Sequence, residues 1–308
     1  MTRREGFGIE VATRAIEHKF EGCRLERANE GVSTEVYRVK REGRVWYLRV
    51  AKEGESMANE AKAHELCQAA GALVPEVVYF EEDNMVLGRS LMVTRDMGGA
   101  CIENIGGGVL SGLMVEVGRN LAKINSISVP GIGYIDKEVG NGFVGSGKNY
   151  NDFVLKDVGE KIAQLASLGI LEKEIAESAA EFVRQNTKMM LEYRDGWLAH
   201  GDFDMTHVFA ENGKLTGFID FGDIRAASRY HDLAHFYMYS PEYFDDLIKG
   251  YGEITTLDEN YKERVRAEAV LIAVSKLHWI GKKDVEKAKS KRKVINTIRE
   301  TIRQGDII

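Results

Sequence analysis

The stretch "LAHGDFDMTHVFAENGKLTGFIDFGDI", residues 198–224, decides the fold because it predicts a β-hairpin with an aspartate near each end. Asn212-Gly213 separates two short apolar runs, and Asn-Gly in that position is a strong signal for a tight hairpin turn. Asp202 precedes the first run, and Asp220 lies at the end of the second. Because antiparallel strands return the chain to the edge where it started, we expect the two carboxylates to converge.

A cation would relieve the repulsion between these carboxylates, and His207 follows Asp202 closely enough to join them. Oxygen ligands at short range favour Mg²⁺, and a magnesium ion with few protein ligands usually completes its shell with phosphate oxygens. Phosphoryl transfer needs one carboxylate to receive a hydroxyl proton and others to hold the metal. The segment therefore predicts chemistry on a phosphate-bearing substrate.

Length and composition indicate a soluble protein with enough chain for two lobes. The chain has 308 residues, of which 44% are hydrophobic and 29% charged, as in ordinary globular proteins. The formal net charge of −6 argues against a general nucleic-acid binder. Three scattered cysteines (Cys23, Cys67, Cys101) indicate neither a disulfide framework nor a cysteine-rich zinc site. With no apolar run of membrane-spanning length, we expect a cytoplasmic protein that does not contact a membrane.

The first third of the chain predicts a β-rich lobe with one helix. The apolar and turn patterns give a hairpin over 35–50, a helix over 56–72 with Ser56 as its N-cap, and strands over 74–80 and 89–96. A glycine-rich connector over 98–112 follows. We therefore place an N-terminal lobe at residues 1–97.

The remainder, residues 98–308, predicts a mainly helical lobe that contains the 206–221 hairpin. Helical patterns cover 110–127, 151–167, 171–193 and 261–280. The fold class expected is α+β and bilobal, with a small β-rich N-lobe and a larger, mainly helical C-lobe.

The motifs of the C-lobe resemble those of a known family. His200-Gly201-Asp202 with His207, followed by Ile219 to Asp223, resembles the H-R-D-x-x-x-x-N and D-F-G elements of protein kinases. With the Asn-Gly turn and the Y-x-D-L-A run at 230–234, the pattern is more similar to the aminoglycoside phosphotransferase family of antibiotic and other small-molecule kinases. The resemblance implies a protein-kinase-like fold and transfer of the γ-phosphate of ATP or GTP to a hydroxyl.

This resemblance assigns a role to each residue of the block. Asp202 would be the catalytic base that orients the acceptor hydroxyl. Asp220 would bind Mg²⁺, and His207 would stand where many relatives have an Asn ligand. His200 and Asp232 would be scaffolding that holds the loop around Asp202.

The same resemblance extends to the N-lobe through individually weaker matches. "ANEGVSTEVYRV" (28–39) is similar to the turn that covers the nucleotide, where Ser33 and Thr34 could contact phosphate. "VWYLRV" (45–50) is similar to the strand that carries the phosphate-binding cation, which is normally Lys; here Arg49 is in register.

Lys52, three residues after Arg49, is the alternative phosphate-binding cation. Glu60, in "NEAKAHEL", would pair with the chosen cation from the following helix. Thr94, on the 89–96 strand, is a further residue expected to contact the nucleotide.

Acidic side chains after the hairpin suggest the class of acceptor. Residues 223–259 hold eight acidic and three basic side chains. An acidic wall would attract a cationic, aminoglycoside-like or other amine-bearing acceptor, and the candidate residues are Asp223, Glu242, Asp245 and Asp246. An acidic surface that only aids solubility is the alternative. Macrolide, sugar-amine, amino-alcohol and homoserine-type kinases share the scaffold, as would an inactive nucleotide-binding relative, and the oligomeric state is open.

Three other patterns are weighed against this interpretation. The glycine-rich stretch 140–149 resembles a P-loop but has Asn149 where a Ser or Thr hydroxyl is needed, so we predict a flexible loop. "HDLAH" (231–235) could hold zinc in a hydrolase, whereas the kinase interpretation leaves His235 as a core residue. The segment 282–303, with nine basic and three acidic residues, is predicted to be a solvated helix face.

Overall fold

The computed structural model describes residues 7–28, 34–104, 109–139, 142–193 and 195–305. The chain divides into two compact units. The first comprises 1–100, 209–212 and 216–222, and the second comprises 101–208, 213–215 and 223–308. The first is β-rich and the second mainly helical, which confirms the predicted fold class.

The first unit is built on a five-stranded antiparallel sheet. Its elements are α1 (Ile9–Ile16), β1 (Arg24–Arg27), β2 (Glu35–Arg41), β3 (Arg44–Val50), α2 (Ala58–Ala69), β4 (Val77–Asn84) and β5 (Arg89–Arg95). The strand order is β1-β2-β3-β5-β4. The strands predicted over 74–80 and 89–96 are therefore present, and β4 starts and ends later than the sequence indicated.

The predicted hairpin over 35–50 is confirmed as β2 and β3. Arg41 pairs with Arg44, so the loop has two residues, Glu42 and Gly43. Both have positive φ, 51° and 75°, which is the conformation whose twist matches that of the flanking strands. This turn fixes the register of every residue on β3, including Arg49.

Side chains along β2 and β3 point alternately to the two faces of the sheet, so the core residues and Arg49 lie on opposite faces. Tyr37 and Leu48 are fully buried on one face, together with Ile16 of α1. Because successive strand residues point to opposite faces, Arg49 lies on the other face. Its partner in register is Met92, so Thr94, two residues further along β5, shares that face with Arg49.

The helix predicted over 56–72 is confirmed as α2, but its predicted N-cap is wrong. The capping residue is Met57 rather than Ser56. The Ser56 hydroxyl nevertheless accepts a hydrogen bond of 3.0 Å from the Ala58 N–H, one of the backbone donors that the first turn leaves without a helical partner.

The hairpin that opened the sequence analysis is present as β11 (Val208–Glu211) and β12 (Lys214–Phe218). These strands form a three-stranded sheet with β6 (Ala100–Cys101), in the order β12-β11-β6. Asn212 and Gly213 occupy the turn with φ values of 52° and 75°. The Asn-Gly signal is therefore confirmed with the turn geometry it predicts.

The second unit combines helices with a five-stranded sheet of order β7-β10-β13-β8-β9. The strands are β7 (Ser128–Val129), β8 (Ile132–Val139), β9 (Gly142–Gly147), β10 (Gly196–Ala199) and β13 (Arg225–Ala227). The first helices are α3 (Val109–Ile124), α4 (Val158–Ser167), α5 (Lys173–Met190), α6 (His231–Tyr239) and α7 (Phe244–Gly252). The last are α8 (Tyr261–Gly281), α9 (Val285–Lys289) and α10 (Arg292–Gly305).

Helix α8 forms the centre of the helical core. Its buried positions lie on all sides of the helix, and it packs against α4, α5, α6 and α10. The helices predicted over 110–127, 171–193 and 261–280 are confirmed with ends within three residues. The helix predicted over 151–167 is instead a π-helical turn, Asn151–Leu155, followed by α4.

The flexible loop predicted over 140–149 is wrong, because residues 142–147 form strand β9, antiparallel to β8. Two of its glycines are required by close backbone contact: a Cβ on Gly145 would lie 2.8 Å from the Ile132 amide nitrogen, and one on Gly147 would lie 2.8 Å from the Ile132 carbonyl oxygen. An antiparallel hairpin also excludes a P-loop, which needs a helix opening at the lysine. Residues 140 and 141 lie outside the described residues.

Helices α3 and α7 approach each other through glycines. A Cβ on Gly250 of α7 would lie 1.8 Å from the Val115 carbonyl oxygen, and one on Gly118 of α3 would lie 2.0 Å from the Leu247 carbonyl oxygen. Both obstacles are backbone atoms of a facing helix, which cannot move aside as a flexible side chain would. The contact therefore depends on the absence of side chains at both positions.

We expect Gly250→Ala to destabilise the protein by about 1–3 kcal/mol, because the added methyl group forces α7 away from α3. Gly252→Ala, on the same helix, is the matched control: its Cβ would meet only Leu257 Cδ1, at 3.8 Å. That control should be neutral or stabilising by up to about 1 kcal/mol. Urea unfolding measures both, and equal stability of the two variants would contradict the packing described here.

Candidate active site

A buried carboxylate holds the segment that carries Asp202. Asp232, fully buried at the start of α6, accepts hydrogen bonds from the His200 N–H at 2.8 Å and the Gly201 N–H at 2.9 Å. The Asn125 side chain donates a third, at 2.9 Å, and also bonds the Leu198 carbonyl oxygen. Three donors compensate the charge of Asp232, so the chain leaving β10 is fixed at His200 and Gly201.

Gly201 permits the sharp change of direction before Asp202. Its φ is +88°, and a Cβ would lie 1.9 Å from the Asp223 carbonyl oxygen. Only glycine combines that backbone conformation with such close contact. His200, whose side chain is buried, has its ring 5.5 Å from that of His207 in a stacked arrangement.

Asp202 is a partly exposed carboxylate next to two cationic groups. Its side chain is 37% exposed, and Oδ1 lies 3.0 Å from His235 Nε2 and 3.1 Å from Lys276 Nζ. Burial by itself would raise the pKa of Asp202, but the hydrogen bond and charge of His235, with the charge of Lys276, outweigh it and hold the pKa well below its usual range. Asp202 is therefore ionised throughout the physiological pH range.

His235 and Lys276 belong to helices far away in the sequence. His235, on α6, is almost fully buried, and its Nδ1 lies 2.9 Å from the Phe203 carbonyl oxygen. Lys276, on α8, lies with Nζ 3.3 Å from His235 Nε2 and 4.9 Å from the ring centre of Tyr239. Burial opposes protonation of Lys276, but the Asp202 charge prevails and raises its pKa.

His207 ends a short 3₁₀ turn, Met205–His207, whose N-cap is Asp204. Its Nδ1 lies 2.9 Å from the Asp202 carbonyl oxygen. A carbonyl can only accept, so Nδ1 carries the proton and Nε2 has the lone pair in the neutral ring. This is the tautomer that a histidine uses to ligate a metal through Nε2.

A second charged group lies in the first unit. Arg49 Nη1 donates to Glu60 of α2, and Nη2 donates to Asp220 Oδ1 at 3.0 Å. Glu60 is buried, the Arg49 side chain is 13% exposed, and the Asp220 side chain is 43% exposed. Desolvation lowers the pKa of Arg49, and the Asp220 charge opposes that shift.

The backbone of Asp220 has φ of 67°, a conformation that few non-glycine residues adopt.

Lys52, the alternative cation, is exposed on the turn after β3. Arg49, not Lys52, is therefore the cation that the structure brings to Glu60 and Asp220.

Three other residues are expected to contact the nucleotide: Thr94, Thr34 and Ser33. Thr94 is buried on β5 opposite Tyr47, on the same sheet face as Arg49. Thr34 is half-buried immediately before β2. Ser33 lies outside the described residues.

The acidic residues expected to bind an acceptor lie on two elements. Asp223 is exposed, and its backbone packs on Gly201 beside Asp202. Glu242 precedes α7, and Asp245 and Asp246 form its first turn. Helix α7 packs mainly on α3, so these three residues are not brought into direct contact with Asp202.

The "HDLAH" segment does not form a zinc site. Both ring nitrogens of His235 are engaged, with Phe203 and with Asp202, while His231 Nδ1 lies 3.9 Å from a Glu268 carboxylate oxygen. Across the part of the chain that the structure describes, no group of three or more His, Cys, Asp or Glu side chains is arranged to hold a metal ion. The zinc hydrolase alternative is therefore unsupported.

The model of the phosphotransferase enzyme family, designated APH, matches residues 24–267. The chain belongs to that phosphotransferase family. The match includes the 200–223 block and the Arg49–Glu60 pair, so both charged groups described above lie within it. No curated protein sequence matches the chain.

Solved structures of aminoglycoside phosphotransferases have the same fold as this phosphotransferase. APH(4)-Ia superposes with a TM-score of 0.72 at 16% identity, over 97% of this chain and 99% of that one. A thermostable APH(4)-Ia mutant in ternary complex with AMP-PNP and hygromycin B gives 0.69 at 17% identity, over 96% and 99%. APH(2")-IIa in complex with gentamicin gives 0.60 at 18% identity, over 98% and 97%. These likenesses establish the protein-kinase-like fold predicted from the sequence.

Within the described residues of this phosphotransferase, no helix is both long and apolar enough to cross a membrane.

Sequence reasoning missed the two cations beside Asp202. It treated His235 as a core residue, and the residue is indeed buried, but it also contacts Asp202. The motif around Asp202 does not point to Lys276. The signal that could have found it is a lysine in the mostly apolar stretch "LIAVSKLHW" (271–279).

We expect Asp232→Asn to destabilise this phosphotransferase by about 2–5 kcal/mol, because an amide cannot accept from all three donors and leaves buried N–H groups unsatisfied. Asp246→Asn, at a more exposed aspartate, is the control and should change stability by less than about 0.5 kcal/mol. Thermal and urea unfolding report both effects. If Asp232→Asn leaves the stability unchanged, the loop is held by other contacts.

Proposed function

We propose that this chain is a kinase that transfers the γ-phosphoryl group of ATP or GTP to a hydroxyl of a small molecule. The observation that carries the proposal is the Asp202 carboxylate, which is ionised, partly exposed and fixed on a segment held by Asp232. Membership of the phosphotransferase family supports the reaction type. In this proposal residues 1–97 form the nucleotide-binding lobe and 98–308 the catalytic and acceptor-binding lobe, and the protein acts in the cytoplasm, where nucleoside triphosphates are available.

Asp202 is the residue that receives the acceptor hydroxyl. Its carboxylate accepts a hydrogen bond from the hydroxyl and aligns the oxygen for attack on the γ-phosphorus. As the new O–P bond forms, the bond to the bridging oxygen breaks, the nucleoside diphosphate leaves with the electron pair, and the hydroxyl proton passes to Asp202. A carboxylate of depressed pKa is a weak base, which suits a loose transition state in which orientation matters more than early proton removal.

Arg49 binds nucleotide phosphate in this proposal, and Glu60 holds it in place. A guanidinium can donate to two phosphate oxygens at once, and its salt bridge with Glu60 keeps it extended on the sheet face. Ser33, Thr34 and Thr94 are the further nucleotide contacts. The sheet face that Thr94 shares with Arg49 supports this assignment.

Asp220 and His207 are proposed as the protein ligands of Mg²⁺. The Asp220 carboxylate is half exposed, and the Nε2 lone pair of His207 follows from its Nδ1 contact with Asp202. Two ligands suffice for a magnesium ion that takes its remaining ligands from phosphate and water. When bound, the ion would neutralise phosphate charge.

The acceptor is proposed to be an aminoglycoside-like or other amine-bearing molecule. Asp223, Glu242, Asp245 and Asp246 would attract its ammonium groups. In this proposal the Lys276 ammonium beside Asp202 would repel those ammonium groups, so they bind away from the reacting hydroxyl. A second candidate is a kinase of the same fold acting on a macrolide, sugar amine, amino alcohol or homoserine-type acceptor; an inactive nucleotide-binding relative is less favoured because Asp202, Asp220 and His207 are all present.

We expect Asp202→Ala to abolish transfer while nucleotide binding is retained, with a loss of about 10²–10⁴-fold in kcat. Mg²⁺-dependent hydrolysis of ATP and GTP measures turnover before the acceptor is known, and calorimetric titration measures nucleotide affinity. An equal loss of nucleotide binding would show that Asp202 has a different role. Wild-type protein that binds ATP or GTP with Mg²⁺ but never turns it over would favour the inactive relative.

We also expect Asp245→Asn combined with Asp246→Asn to raise KM for amine-bearing acceptors several-fold, with little change in kcat, because the removed charges act at long range. Neutral acceptors from the same panel serve as the internal control, and added salt should reduce the difference between wild type and variant. If KM rises equally for neutral and amine-bearing acceptors, the proposed role of the acidic residues is wrong.

A further inference from the structure

Two helices each place a basic side chain against the same oxygen of Asp202. His235 Nε2 and Lys276 Nζ lie 3.0 Å and 3.1 Å from Oδ1. They come from α6 and α8, 33 and 74 residues after Asp202. Two basic side chains on one oxygen of a partly exposed carboxylate are more than charge compensation requires, because an exposed aspartate is already stable in water.

The hydrogen bonds of His235 define what its ring contributes. Nδ1 faces the Phe203 carbonyl oxygen at 2.9 Å, and a carbonyl can only accept, so Nδ1 is protonated. Nε2 lies 3.0 Å from Asp202 Oδ1 and 3.3 Å from Lys276 Nζ. The ring is thus held at both nitrogens, by the backbone of the residue that follows Asp202 and by the Asp202–Lys276 pair.

Burial distinguishes His235 from Lys276. The side chain of His235 is 2% exposed and cannot move without breaking two hydrogen bonds, whereas that of Lys276 is 29% exposed. The buried ring therefore fixes the direction of the carboxylate, and the partly exposed ammonium supplies charge at the rim. Both contacts are made with Oδ1.

We propose that His235 and Lys276 are positioning residues for the reaction, which orient Asp202 through Oδ1 so that Oδ2 is presented to the acceptor hydroxyl. This rests on the proposed function of Asp202. A carboxylate free to rotate would align the hydroxyl in only part of its conformations, and misplacement by about 1 Å can cost about 10²-fold in rate.

Two substitutions at 235 separate the contact with Asp202 from simple packing. The amide nitrogen of Asn can replace Nδ1 and keep the bond to Phe203, whereas that of Gln can replace Nε2 and keep the bond to Asp202. We expect His235→Asn to lower kcat for Mg²⁺-dependent ATP or GTP hydrolysis by about tenfold or more, and His235→Gln to lower it less, with nucleotide KM unchanged in both. A larger loss in His235→Gln than in His235→Asn, or unchanged kcat in both, would overturn the proposal.

Two substitutions of Lys276 test whether its charge or only its shape is needed. Lys276→Met keeps the length of the side chain and removes the charge, and we expect kcat to fall about tenfold or more at constant nucleotide affinity. Lys276→Arg should restore a substantial part of the rate. A Lys276→Met variant with wild-type kcat, or one whose defect is confined to nucleotide affinity, contradicts the proposal.

A measurement that needs no activity distinguishes failure of this inference from failure of the proposed function. Nitrogen-15 NMR of wild-type protein should show His235 Nδ1 protonated, and both Asp202→Asn and Lys276→Met should shift the Nε2 resonance. An Nε2 resonance that is unchanged in Asp202→Asn would falsify the contact. If wild type neither binds nor hydrolyses ATP or GTP, the proposed function fails, and the ring resonances still decide whether His235 holds Asp202.

Discussion

The structure of the site depends on one buried carboxylate. Asp232 has no access to solvent, and its charge is stable only because the His200 and Gly201 N–H groups and the Asn125 amide all donate to it. Those same bonds determine where β10 ends and where the next residue, Asp202, must be. The three hydrogen bonds that offset the cost of burying this ion also fix the segment that carries Asp202.

The two charged groups follow the same physical rule. Arg49 lies between a buried Glu60 and a partly exposed Asp220, while Asp202 lies between a buried His235 and a partly exposed Lys276. In each group the buried partner sets direction and the exposed partner remains accessible to a ligand. Each group therefore contains one side chain that is held in place by burial and one that is exposed to solvent.

Much of the fold could be predicted from the sequence because its signals are local. The Asn212-Gly213 turn, the 35–50 hairpin and the long helices depend on residues within a few positions of one another. The prediction of a loop at 142–147 was wrong because glycines in a strand resemble glycines in a loop. Their reason, the close approach of Ile132, lies in a partner strand that the local pattern does not reveal.

The site was predictable only where its residues form a motif. Asp202, His207 and Asp220 stand at recognisable spacings, whereas His235 and Lys276 reach Asp202 through the packing of α6 and α8. No spacing encodes that packing. The sequence likewise offered both Arg49 and Lys52 as the partner of Glu60, and only the strand register shows that Arg49 lies beside it.

The close contact at Gly118 and Gly250 prevents α7 from sliding along α3. A shift of one residue, a rise of about 1.5 Å, would drive neighbouring side chains into the carbonyl oxygens that now face Gly118 and Gly250. The helix that presents Asp245 and Asp246 is thereby anchored in place. This surface can therefore vary through the side chains that α7 displays, because α7 cannot change its position on α3.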